Sequence, residues 1–156
     1  MKPRITAAAG LASAVAALTL TSLFLGPTGQ ASVAHSCYPV DRQFIAAAEL
    51  NMAALSAASE DYLNGRGKAS EVIAQARISL RGLRNTRPTD PALTRTRLLL
   101  KVMFLEYQKA IVADAHHHSP GQHIYRAYGL ANIAHDLLAS AQQPLKKRGC
   151  DVSPLL

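Results

Sequence analysis

Residues 119–144 read SPGQHIYRAYGLANIAHDLLASAQQP. Within this stretch Ile124, Leu130, Ala131, Ala134, Leu137, Leu138 and Ala141 recur at helical spacing. Gln122, Arg126, Gly129, Asn132, Asp136, Ser140 and Gln143 fill the opposite side. An apolar stripe with a period near 3.6, backed by a polar face, marks a helix that lies on a core. Ser119 and Gln122 have capping-box spacing at its start, and Pro144 predicts its end.

Three stretches of the same kind precede it. A helix capped by Asp41 carries Phe44, Ala48, Met52, Leu55, Ala58 and Tyr62 on one face and stops at Gly65 and Gly67. A second starts near Ser70 and buries Val72, Ile73, Ala76, Leu80 and Leu83. It stops before Arg87-Pro88, because a residue preceding proline avoids the helical region. Asp90-Pro91 opens a third, with Asp at the N-cap and Pro at the first helical position, where its missing N–H costs nothing. That helix is expected to run to about His117. No alternating β-branched run and no repeat interrupts this pattern.

Four amphipathic helices with short connections predict an all-α, up-down-up-down four-helix bundle. In that topology the start of the first helix and the end of the last lie at one pole, so Cys37 and Cys150 are expected to form a terminal disulfide. Closing so long a loop stabilises a fold by on the order of 4 to 5 kcal/mol in the chain-entropy model. Alanines at the contact positions of the first and last helices predict that these two pack closely.

At the N-terminus, Lys2 and Arg4 precede an apolar run from Ile5 to Leu25, then Gly26-Pro27 and a string of small residues. This is the pattern of a secretory signal peptide over residues 1–31. Cleavage is expected after Ala31, with Gly29 at the minus-three position, or after Ala34, with Ser32 there. The remaining residues, 32–156, form a single helical-bundle domain with no transmembrane segment. The predicted location is secreted or extracytoplasmic, where a cysteine pair oxidises. Arg outnumbers Lys and Ala is abundant, the composition of a high-GC bacterial source.

Hydrophobic residues make up 49% of the 156-residue chain, which excludes a disordered polymer, and two cysteines exclude a cysteine-dense miniprotein. Glu-x-x-His, His-Glu-x-x-His, Gly-x-Ser-x-Gly and phosphate-cradling Gly loops are all absent, so the expectation is a non-catalytic binding module. One weak catalytic layout is an inter-helical cleft for a small dianion, lined by Arg77, Arg81 and Lys101 with Gln108 or Glu106.

Three candidate sites follow from the topology. The disulfide pole gathers Arg42, Arg84, Arg87, Arg95, Arg97, Lys146, Lys147 and Arg148 against Asp41, Asp90 and Asp151. Such a patch attracts an anionic envelope polymer or lipid surface. Aromatic residues do not interleave these charges, so specific nucleic-acid binding is not expected. The opposite pole carries Asp114, His116, His117, His118 and His123 on both arms of a helical hairpin, donors suited to Zn, Cu or Ni. Consecutive histidines on a helix point in different directions, which counts against convergence. In the core, Met52 and His135 face each other across the first and last helices, a layout open to axial haem ligation. The expected close approach of those helices leaves little room for a porphyrin, and no Cys-x-x-Cys-His is present for covalent haem.

Overall fold

The computed structural model describes residues 36–156. The expected signal peptide and both cleavage positions lie outside the described residues. Four helices account for most of the described chain: α1 (Pro39–Leu63), α2 (Ala69–Asn85), α3 (Pro91–Ala115) and α4 (Gly121–Lys147), followed by a short 3-10 turn over Ser153–Leu155. Among the described residues there is no strand. The helices run up, down, up and down, with α1 on α2, α2 on α3 and α3 on α4.

Their ends explain the register. Pro39 begins α1 at a position that needs no N–H, so the helix starts before Asp41. Asp41 is therefore not the cap. Its buried carboxylate instead accepts from the Thr89 N–H at 2.6 Å, the Thr89 hydroxyl at 3.0 Å and the Asp90 N–H at 3.2 Å, tying the α2–α3 connection to α1. Asp90 does cap α3, accepting from the Ala92 and Leu93 N–H groups. At the start of α4 the expected Ser119–Gln122 box is not formed: Pro120 occupies the N-cap and no side chain caps the helix. Pro144 lies inside α4, which continues to Lys147. A proline this close to a C-terminus removes one backbone hydrogen bond and leaves the last turn intact.

Three of the helices share one way of stopping. At the ends of α1, α3 and α4, a residue in the left-handed region sends its N–H back to the carbonyl three residues earlier, and the next N–H reaches five residues back. Gly65 (φ 71°) and Gly149 (φ 80°) fill that position after α1 and α4, whereas His117 (φ 58°) fills it after α3. Gly149 turns the chain so that Cys150 meets Cys37, and the disulfide joins their Cα atoms at 5.0 Å.

The core runs the length of the bundle through Phe44, Leu55, Val72, Leu83, Leu93, Phe104, Leu138 and Leu145. The α1–α2 seam is tight at Gly82, where an added Cβ would lie 2.7 Å from the Asn51 amide nitrogen. The expected close packing of α1 against α4 is not found, since these helices make almost no close backbone approach. α4 packs instead against α3. At the disulfide pole the C-terminal tail fills the resulting gap, with Val152 and Leu155 buried beside α1 and α4. Toward the other pole the gap stays open.

Candidate functional site

The disulfide pole is built from the first turn of α1, the end of α2, the start of α3 and the end of α4, so all eight expected cations lie there. Two of them are internal struts. One guanidinium nitrogen of Arg97 donates to the Leu83 and Thr86 carbonyls at 3.3 and 3.0 Å, closing the C-terminus of α2. Arg148 pairs with the buried Asp90 carboxylate and bolts the end of α4 to the start of α3. The other six, Arg42, Arg84, Arg87, Arg95, Lys146 and Lys147, are exposed. Of the three acids at this pole, Asp41 and Asp90 are buried and fully engaged. Asp151 is exposed but accepts from the Ser153 N–H and hydroxyl, bonds that hold its carboxyl below the ordinary value. Two of the three acids turn inward and six of the eight cations outward, so solvent meets mainly positive charge.

At the opposite pole α3 ends at Ala115, so His116, His117 and His118 are not helical. The left-handed turn at His117 brings the His116 and His118 rings to a centroid separation of 6.4 Å. Both rings, with His123, Lys109 and Gln108, line a cavity of about 330 Å³. Asp114 does not face it as a free donor, because its carboxylate accepts from the Tyr62 hydroxyl across to α1. That bond, then burial and the carboxylate charge, raise the Tyr62 phenol above its ordinary value.

His123 has a partner that sequence reasoning did not assign. Its Nδ1 lies 2.7 Å from Glu106 Oε2 on α3, and the other oxygen of Glu106 accepts from Lys109 at 2.6 Å. Glu106 is only 7% exposed. The Lys109 ammonium, and after it His123, hold its carboxyl below the ordinary range against the opposing effect of burial. Glu106 thus faces α4, while Arg77 and Arg81 are exposed on α2, so the expected dianion cleft is not assembled. Among the described residues, no three His, Cys, Asp or Glu side chains converge tightly enough to hold a metal as they stand.

The open seam between α1 and α4 is the feature that sequence reasoning missed. Met52, Leu55, Ser56 and Ser59 of α1, Met103, Phe104 and Tyr107 of α3, and Ile124, Ala127, Tyr128 and Ala131 of α4 enclose a groove of about 360 Å³. A second cavity of about 240 Å³ continues toward the disulfide pole between Thr96, Leu100, His135, Leu138, Leu155 and Leu156. Met52, Met103 and Ala131, one side chain from each of three helices, line both. The larger groove is lined mostly by apolar side chains, while Asn132 and His135 bring polar surface to the second cavity. Ser59 donates to the Leu55 carbonyl at 2.6 Å and Thr96 to the Ala92 carbonyl at 2.9 Å, so both hydroxyls are spent within their own helices. Met52 and His135 both line the second cavity, but His135 is not inward: its side chain is 53% exposed and turns toward Asp136.

Fold and site together define a disulfide-clasped helical bundle with a cationic pole and an apolar channel. Compared with known proteins, the chain matches no family model, no curated protein and no solved structure.

Proposed function

We propose that the protein is a secreted, non-catalytic binding module whose basic pole engages an anionic cell-envelope polymer or lipid surface. The supporting observation is the sorting of charge at that pole. Six exposed cations stand over two acids that are buried and already engaged. Each basic residue near an anionic membrane contributes about 1 kcal/mol, and the attraction fades within a Debye length of roughly 10 Å at 0.1 M salt. Reversing Arg87, Arg95 and Lys147 to Glu therefore removes a salt-sensitive retention on anionic vesicles and cell wall. Unchanged retention by the triple variant rules the reading out.

A second reading is transition-metal capture at the histidine pole, with Zn, Cu or Ni as cargo, and it rests on His117. A non-glycine residue held in the left-handed region costs on the order of 1 kcal/mol, and here it sets the His116 and His118 rings beside each other. Replacing His116, His118 and His123 together with Ala abolishes Zn binding with an unchanged fold if these imidazoles are the ligands. Micromolar binding that survives the replacement excludes them. For haem, His135 turned toward Asp136 offers no inward ligand opposite Met52.

A further inference from the structure

We propose that the channel between α1 and α4 holds the chain of a monoacyl anionic lipid, with its head group at the basic pole. The head-group half of this proposal rests on the reading of that pole; the chain half rests on the channel alone. Along α4 the channel runs from Ile124 to Leu138. At 1.5 Å per residue this is about 21 Å of wall. One acyl chain spans half of a hydrocarbon core roughly 30 Å thick, about 15 Å, so the channel accommodates a chain of leaflet length. Its larger cavity, about 360 Å³, falls in the range of small-molecule sites, roughly 300 to 1,000 Å³.

The lining is chemically suited to hydrocarbon. Met52 and Met103 line both cavities, and thioether side chains adapt to an irregular apolar guest. Ile124 and Tyr128 on the rim are 49% and 66% exposed, which leaves apolar surface for a guest to cover. Charge fixes the orientation. Thr96, in the cavity nearer the disulfide, directly follows Arg95, and Lys146 and Lys147 lie on α4 about 12 to 14 Å beyond Leu138. On α4 near the far end, Arg126 is a single exposed cation between Tyr125 and Ala127, against the six exposed at the disulfide pole. An anionic head therefore sits toward the disulfide pole and the methyl end toward Ile124.

Titration of the delipidated, disulfide-bonded protein with palmitate and with laurate tests this. The expected result is saturable binding of one palmitate per chain, with laurate weaker by about fourfold for each methylene that no longer reaches the wall. Ala131→Phe places a bulky ring on the wall that the two cavities share. Ser56→Trp fills the groove from an exposed rim position and tests the same point should the first variant misfold. Both variants are expected to lose palmitate at least tenfold while retaining anionic vesicles. Reversing Arg87, Arg95 and Lys147 should weaken palmitate several-fold and leave hexadecanol unchanged. Absent or non-saturable palmitate binding, or binding that neither channel variant alters, overturns the inference, and vesicle retention in the same samples shows separately whether the basic pole works. Palmitate affinity unmoved by the reversals overturns the assigned orientation.

Discussion

Helix α4 has two seams, and they are built differently. Against α3 it packs closely, and a His123–Glu106–Lys109 cluster ties the two helices together at one end. Against α1 it is held apart, bolted only at the disulfide pole by Cys37–Cys150 and wedged there by Val152 and Leu155. The same alanine-rich helix thus packs closely on one side and stands off from its neighbour on the other. Small residues permit close approach and do not impose it; the wedge and the clasp decide which neighbour α4 approaches.

The largest effect expected from breaking this contrast is at the clasp. Replacing Cys37 and Cys150 with Ala removes a cross-link between residues 113 positions apart. The chain-entropy model puts the loss at about 4 to 5 kcal/mol. Urea unfolding of the double variant measures it, and a loss below about 1 kcal/mol would mean that α1 and α4 are held by packing alone. The tail should loosen with the clasp, which proteolysis at residues 151–156 would report.

A matched pair of truncations sharpens the comparison. Leu145 is fully buried under the clasp, whereas Met52 is a half-buried wall of the channel. Leu145→Ala is expected to cost about 3 kcal/mol, because a closed site keeps the cavity it is given. Met52→Ala is expected to cost about 1 kcal/mol, because part of that side chain already faces an open groove. Equal costs, read from urea midpoints, would show that the α1–α4 seam is closed in solution.

The helices, their order and the clasp were legible because each depends on local pattern: 3.6-residue periodicity, Asp90-Pro91 at a start, and two cysteines just outside the first and last helices. The channel was not legible, because it depends on how far apart two helices stand, and Ala-rich stripes are compatible with either spacing. The sequence did carry one clue in Val152 and Leu155, apolar residues three apart just after a cysteine pinned to the start of α1. Apolar residues so placed are within reach of the gap between α1 and α4, although Leu156 beside them stays exposed. Asp41 shows a second limit. Its residue type and position suit an N-cap, but Pro39 starts the helix two residues earlier and frees the carboxylate for the α2–α3 connection. Of the eight cations placed at the pole, the sequence could not mark Arg97 and Arg148 as struts, since their partners are backbone carbonyls of α2 and the cap of α3. Glu106 escaped its role for the same reason: only the pairing of α3 with α4 brings His123 to it.

That last pairing gives the smallest of the expected effects and the one with a signature in pH. The Glu106 carboxyl titrates below its ordinary value near 4.5, held down first by Lys109 and then by His123, while burial works the other way. A carboxyl whose folded value lies below its unfolded one contributes stability that is fully present above the unfolded value. The contribution is lost as pH falls through the folded one. Glu106→Gln should therefore lower the urea midpoint at pH 7, and the gap from the native protein should narrow once pH falls below about 4.5. The change is confined to the α3–α4 seam, so palmitate uptake at pH 7 is expected to be the same in both proteins. A gap that stays constant from pH 7 to pH 3 would mean that Glu106 acts there through shape and not through charge, and the cluster would then add packing to the closed seam but no electrostatic seal.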